Sequence, residues 1–243
     1  MRVAVIADIH ANLAALEAVL EATEAAGAEE IWCLGDVVGY GADPDACAER
    51  VREGCAICLA GNHDLAVLGR LQVTDFSEAA AAAVEWTREN AGEGTLELLG
   101  GLEPEGERDG VSLFHASPRD AVWEYVLSAE QADACMDAQP NPVALIGHSH
   151  IALFFTRGPG EELRGAQAGD GAQVELGDGE WLVNPGSVGQ PRDGDPRAAW
   201  LALDTESRSA RFHRTPYDIE RAAASITAAG LPQQLADRLF IGQ

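Results

Sequence analysis

Five of the chain's six histidines occur in or beside short runs that also hold aspartate, asparagine and glycine: Asp8-Ile9-His10, Gly61-Asn62-His63-Asp64, an isolated His115, and Gly147-His148-Ser149-His150. Gly35-Asp36 belongs to the same set. Imidazole nitrogens combined with carboxylate and amide oxygens suit borderline divalent ions such as Mn, Fe, Zn, Ni or Co. No cysteine joins these runs, which argues against a structural zinc knuckle. The candidate metal ligands Asp8, His10, Asp36, Asn62, His115, His148 and His150 are too many for one ion. They suit two ions about 3.5–4 Å apart sharing one carboxylate. Asp36 is the natural bridge, because its strand is expected between those that carry Asp8 and Asn62. Such a pair polarises phosphoryl oxygens and brings a water's pKa down to about 7.

These residues must be gathered by the elements before them. Residues 3–7, 31–34, 55–60, 111–114 and 143–146 read as short apolar strands, and one motif follows each. Asn12 can cap a helix with Leu13, Leu16, Val19 and Leu20 on one face, ending near Gly27. Asp43-Pro44 opens a second helix in the preferred cap and first-turn order, running to about Arg52. Asp8 to Asp36 is 28 residues and Asp36 to Asn62 is 26, about one strand–helix unit each. This rhythm predicts a parallel sheet whose carboxyl edge, where α/β proteins place ligands, collects the motifs.

Residues 64–100 read as a helical insertion beside the site, with an Ala-rich helix from a Ser77 cap to about Asn90. Ser128 and Gln131 form a capping box for another helix. The second half is strand-rich at 151–156, 172–176, 180–184, 197–204 and 207–213, and closes with helices at 216–229 and 232–239. The Gly- and Glu-rich stretch 158–171 reads as a mobile hairpin tip. One domain spanning 1–243 is expected.

Composition narrows the functions. The chain has 40 acidic and 16 basic residues, a net charge of −24, and all the basic residues are arginine. Without lysine there is no Schiff-base chemistry and no Walker-type phosphate loop. So acidic a surface repels nucleic-acid duplexes and anionic membranes. No signal-peptide core and no membrane-spanning run is apparent. Five scattered cysteines argue against a disulfide framework and for reduced thiols in the cytoplasm. Cys55-Ala56-Ile57-Cys58 has redox spacing, but it lies in an expected buried strand and reads as structural.

Taken together and in order, the motifs resemble those of the calcineurin-like metallophosphoesterases. Asn184-Pro-Gly-Ser187-Val-Gly-Gln-Pro-Arg192-Asp-Gly-Asp195, Gly35-Asp-Val-Val-Gly-Tyr40-Gly and His115-Ala-Ser-Pro118-Arg119 resemble its small bacterial and archaeal members. The resemblance covers about residues 1–215, with Ser149 standing where such relatives carry threonine. It implies an α/β fold (α+β in some schemes), a four-layer αββα sandwich with a helical insertion. It further implies two divalent metals, one on Asp8, His10, Asp36 and His150 and the other on Asp36, Asn62, His115 and His148. The implied activity is hydrolysis of phosphate esters through the dinuclear centre and a metal-activated water. By the same resemblance His63 touches the phosphate and protonates the leaving oxygen, with Asp64 orienting its ring. Arg119 and Arg192 are candidates for neutralising substrate phosphate, alongside Asn62. The implied partner is a small phosphate ester or a phosphoprotein.

The other residues have plainer readings. His213 lacks such neighbours and reads as structural. Ser187 belongs to a turn at the site's edge rather than to a catalytic apparatus. Gly147-His-Ser149-His-Ile151 lacks the last glycine of a nucleophile elbow. Tyr40, Trp123 and Tyr125 are candidates either for the pocket wall or for packing on the sheet. The alternative function, a catalytically inactive metal-binding scaffold of the same fold, predicts a missing ligand or a missing His63, and every position is filled.

Overall fold

The computed structural model describes residues 1–243. Three strand–helix units open the chain: β1 (Arg2–Ile6), α1 (Leu13–Ala25), β2 (Glu30–Cys33), α2 (Pro44–Gly54), β3 (Ile57–Cys58) and α3 (Asn62–Val67). Then come α4 (Glu78–Asn90), α5 (Glu93–Gly100), β4 (Glu105–Arg108), β5 (Val111–Phe114), α6 (Ala129–Met136) and β6 (Val143–Leu145). Strands β7 (Leu153–Arg157), β8 (Arg164–Gln167), β9 (Gln173–Glu175), β10 (Glu180–Asn184), β11 (Ala198–Asp204) and β12 (Ser209–Thr215) follow. The chain ends with α7 (Ile219–Ala228) and α8 (Gln233–Asp237).

The strands form two six-stranded sheets, ordered β3-β2-β1-β11-β12-β9 and β4-β5-β6-β10-β7-β8. Each is mixed. β1, β2 and β3 are mutually parallel, as are β5, β6 and β10, and the remaining pairings are antiparallel. The expectation of one parallel sheet is corrected accordingly. Two parallel cores lie in two stacked sheets, because the second-half strands complete both sheets instead of forming one of their own.

The alternation along β1 shows why the sheets stack. Val3 and Val5 face a cluster shared with Val111, Leu113, Val143, Leu145 and Val183 of the second sheet. Ala4 and Ile6 face the other way, against Leu16 and Val19 of α1 and Cys47 and Val51 of α2. A strand buried on both faces must be apolar throughout, and each such side chain contributes about 1.5–3 kcal/mol. On the far face of the second sheet, Phe114, Ala144, Phe155 and Leu182 pack against Ala132, Cys135 and Met136 of α6. The layers run helix, sheet, sheet, helix, which is the αββα sandwich.

Local signals mostly held. Asn12 accepts from the Ala15 N–H at the start of α1, and Ser77 accepts from Ala80 at the start of α4. Ser128 and Gln131 close both halves of their capping box. Asp43 precedes α2 without a capping hydrogen bond. The expected buried strand at 55–60 shrinks to Ile57–Cys58, half-buried at the outer edge of its sheet. Ala60 has already left the ladder and donates to Glu103 O. The stretch 158–171 is not only a tip, since it contains β8 paired antiparallel with β7. No helix is long and apolar enough to cross a membrane.

Candidate metal centre

Every motif leaves the carboxyl end of a strand in one of the two parallel cores. Asp8 and His10 follow β1, Asp36 follows β2, and Asn62 and His63 open α3 just after β3. His115 follows β5, and His148 and His150 follow β6. The loops are pinned to one another by the backbone: Asp8 N donates to Gly35 O, His10 N to Asp36 O, and Gly147 N to His115 O, at 2.7–3.0 Å. The two sheets are joined at the site by His148 N, which donates to Asp8 Oδ1 at 3.1 Å.

This convergence requires unusual backbone. Asp8, His10, Asp36, His148 and His150 all have φ between +51° and +63°, as does neighbouring Tyr40. For a residue with a Cβ this left-handed region costs about 1–3 kcal/mol, so the fold must over-determine it. Gly61 meets a different demand, close approach. A Cβ there would run into the Asp36 carboxylate and backbone.

A second layer of polar side chains braces the loops. Ser187 Oγ donates to Asp8 O and accepts from Gln190 N, both at 2.8 Å. Asn184 Nδ2 donates to Gly147 O at 2.7 Å and to Ser149 Oγ at 3.0 Å. Ser187 is therefore a buried brace, in keeping with the turn reading.

The ligand atoms fall into two groups, Asp8/His10/Asp36/His150 and Asp36/His115/His148, each with its donor atoms within 4.8 Å of one another. Asp36, in the loop after β2, the strand between β1 and β3, is in both. Asn62 joins the second group through Oδ1, 3.2 Å from His115 Nε2. All of these side chains are buried.

Hydrogen-bond logic tests whether they fit a metal. The Nδ1 atoms of His10, His115 and His150 lie 3.1, 2.9 and 2.7 Å from the carbonyls of Val38, Leu34 and Gln190. A carbonyl only accepts, so each Nδ1 carries the proton and each Nε2 presents a bare lone pair. Those lone pairs aim at acceptors. His10 and His150 bring their Nε2 atoms to 3.0 Å, and Asp36 Oδ2 lies 3.5 Å from His10 Nε2 and 3.7 Å from His115 Nε2. Asp8 Oδ2 and His148 Nε2 are buried with no partner at all. Lone pairs facing lone pairs repel unless a cation lies among them, so the residues fit divalent metal ions.

The electrostatics agree. Burial raises the Asp8 carboxyl to about 7 and pushes Asp36 well above the usual carboxylate range, with the nearby Asp64 adding to the latter. Burial likewise drives His10, His63, His148 and His150 well below the usual imidazole value, leaving them neutral and able to ligate.

A cavity of about 280 Å³ opens over the cluster, lined at its floor by Asp36, Asn62, His63, His148 and His150. His63 is wedged among the rings of His10, Tyr40 and Phe76, at centroid distances of 4.8, 4.4 and 5.0 Å, and its Nδ1 is unpartnered. Asp64 does not orient that ring. Its carboxylate accepts from the backbone N–H groups of Val37, Val38 and Gly61, at 3.2, 3.1 and 2.9 Å, and so ties the β2 loop to the start of α3. Arg192 lines the cavity, with Tyr40, Trp123 and Tyr125 in its wall. Arg119 does not reach it. Its exposed guanidinium lies 3.6 Å from Glu124.

Sequence reasoning missed Phe76 at the mouth of the helical insertion, and Arg238 just after α8, which also lines the cavity. Arg238 belongs to no motif, and no sequence signal marks it.

The sequence model of a family described as the calcineurin-like phosphoesterase superfamily domain matches residues 1–208. An uncharacterized protein of Methanocaldococcus jannaschii is 37% identical over 246 residues, spanning 99% of this chain and 98% of its own. The crystal structure of a metallophosphoesterase from Sphaerobacter thermophilus superposes with a TM-score of 0.90 at 37% identity, covering 100% of this chain and 99% of that one. A hypothetical protein from Pyrococcus horikoshii OT3 shares the fold at a TM-score of 0.79 and 19% identity, with 100% and 98% covered.

Proposed function

Since the chain belongs to the calcineurin-like phosphoesterase superfamily, we propose that it is a metal-dependent hydrolase of phosphate esters, with Asp8, His10, Asp36 and His150 holding one divalent cation and Asp36, Asn62, His115 and His148 a second. The observation that carries this reading is the pair of buried donor groups sharing Asp36, their bare imidazole nitrogens converging on the floor of an open cavity. Two bound cations would supply Lewis acidity to the phosphoryl oxygens and lower the pKa of a water between them to about 7. The mixed nitrogen and oxygen donors make Mn the first ion to test.

The protein's own groups do the rest. His63 lines the cavity over the cluster, its Nδ1 buried against Gly39, and contacts the phosphate with the rest of the ring's edge. Burial and the Arg192 charge keep its imidazole neutral. An arriving phosphate dianion offsets that charge and lifts the ring's proton affinity, so His63 becomes able to protonate the leaving oxygen. Arg192 supplies a guanidinium fork for the non-bridging oxygens. The substrate is a phosphate monoester or diester, free or on a protein side chain. The free cysteines support a reducing compartment such as the cytoplasm.

The test strips the protein with a chelator, adds back Mn, Fe, Ni, Zn or Mg, and assays a panel of phosphate mono- and diesters. Turnover is expected to return with at least Mn. If no ion restores turnover on any ester while circular dichroism stays native, the inactive-scaffold reading replaces this one.

A further inference from the structure

The cavity has a second feature that the metal ligands do not explain. Arg192 Nη2 and Arg238 Nη1 both donate to one neutral acceptor, Gln190 Oε1, at 2.9 and 3.2 Å. Arg192 also reaches Tyr40 Oη at 3.2 Å, and its Nε is buried with no partner. Two guanidinium groups sharing an uncharged acceptor repel each other. Accordingly, burial and then the Arg192 charge lower the proton affinity of Arg238.

The pairing is odd for this chain, which has 40 acidic residues against 16 arginines. Eight of its arginines pair with a carboxylate, as Arg108 does with Glu30 and Arg157 with Asp133, Asp137 and Glu180, and others donate to backbone carbonyls, as Arg70 does to Gly100 O. Around the cavity the only carboxylates are Asp36, in the metal cluster, and Asp75, exposed at the rim. Neither makes an ion pair with the two arginines, whose only side-chain partners are the neutral groups of Gln190 and Tyr40.

The two arginines also stand at different depths. The Arg192 backbone N–H donates to His150 O at 3.1 Å, beside the cluster, whereas Arg238 also lines a neighbouring surface pocket with Ser77, Asp237 and Gln243. An anion between the guanidiniums therefore sits outward of a phosphate held over the cluster. Arg238 lies beyond residue 208, where the family match ends. Its position comes from the C-terminal helices, which pack Leu235, Ala236 and Leu239 against Ala79, Ala80 and Ala83 of α4 and against Tyr40.

We propose that Arg192 and Arg238, spaced by Gln190, form a second anion subsite on the cavity wall, so that the preferred substrate is a small phosphate ester carrying a second phosphate group. This rests on the esterase reading for the scissile bond, but the anion subsite has its own binding readout.

Two measurements decide it. With the metal-loaded protein, kcat/KM is compared for adenosine 3′,5′-bisphosphate and adenosine 5′-monophosphate, in the native chain and in Arg238→Met. The ratio of the two values is expected to fall about 30-fold in the variant, the scale of one lost charge-assisted contact. Arg238→Lys, which keeps the charge but not the fork, should recover part of that loss. A ratio that moves less than threefold overturns the proposal. The metal-free full chain is then titrated with the same two nucleotides, following tryptophan emission from Trp123 in the cavity wall. Tighter binding of the bisphosphate, about 30-fold and lost in Arg238→Met, supports the subsite. Equal affinity for the two nucleotides overturns it. Should the metal panel yield no turnover, the esterase reading fails while this titration still judges the arginine pair.

Discussion

A histidine in a protein interior is informative through what each ring nitrogen meets. In His10, His115 and His150 a backbone carbonyl fixes the protonated nitrogen, which sends three Nε2 lone pairs toward two carboxylates. His63 differs, because its ring is held by packing alone and no carbonyl fixes which nitrogen carries the proton, Nδ1 being buried without a partner against Gly39. That freedom suits a group that moves a proton rather than one that anchors an ion. Replacing His63 with Asn is expected to lower kcat on an alkyl phosphate by about 10²- to 10⁴-fold. The loss should be smaller on p-nitrophenyl phosphate, whose leaving oxygen needs little protonation. Equal losses on both substrates would place His63 outside proton transfer. The family resemblance implies Asp64 as the partner of that ring. Three backbone N–H groups claim its carboxylate instead, a contact no sequence spacing announces.

Among the elements, the strands that escaped sequence reading share a position. β4, Glu-Gly-Glu-Arg, and β8, Arg-Gly-Ala-Gln, are the two outer strands of the second sheet. An edge strand in water has no apolar face to display, so its sequence carries no alternation and charge is favoured there. The turn between β4 and β5 is better marked, since Asp109 and Gly110 both adopt positive φ, as a two-residue hairpin requires. The loops at the metal centre are the opposite case, with composition dictated by close approach. Gly61→Ala pushes a Cβ into the Asp36 carboxylate. It is expected to cost about 1–3 kcal/mol, a fall in Tm of roughly 3–10 °C, with fewer than two metal ions retained. Gly54, near the end of α2, has nothing within 4 Å of an added Cβ. There alanine should leave Tm unchanged or raise it slightly. Thermal unfolding with metal analysis by mass spectrometry reads both variants.

Over the whole molecule, two opposed titrations meet in one buried site. Asp8 titrates near 7 in the folded protein against 3.8 when exposed, so the metal-free fold enjoys this group's full contribution below pH 4 and loses it as pH rises through 7. At about 1.4 kcal/mol per pKa unit the loss is roughly 4 kcal/mol. The four depressed imidazoles have the reverse sign. Their contribution is complete above the unfolded value of 6.5 and is withdrawn as pH falls below it. Divalent cations favour ionised carboxylates and neutral imidazoles together, relieving the penalty on the alkaline side. The rise in Tm on adding Mn should therefore grow from pH 5.5 to pH 8. Calorimetry in buffers of different ionisation enthalpy should show proton release from Asp8 and Asp36 on metal binding at pH 6, falling as pH rises through 7 where Asp8 ionises. A metal-induced Tm shift that is flat with pH would contradict a protonated Asp8 in the empty site. The same scale explains Arg238, since α4 and the C-terminal helices share one small apolar cluster with Tyr40. That cluster brings a residue from the end of the chain to a cavity built mainly by its first 150 residues.

The residue types alone picked out the candidate donor set, because only side chains that ligate or turn sharply suit such a centre, and they cluster in short runs directly after apolar strands. Periodicity and caps determined most elements, and the 28- and 26-residue spacing determined that Asp36 lies between Asp8 and Asn62. Tertiary structure decided what depends on partners distant along the chain. It divided the motifs between two stacked sheets rather than along one edge, turned Arg119 out to solvent, gave Asp64 to the backbone, and brought in Arg238. A run such as Asp8-Ile9-His10 carries its chemistry with it, whereas a lone arginine acquires a role only from what the fold sets opposite it.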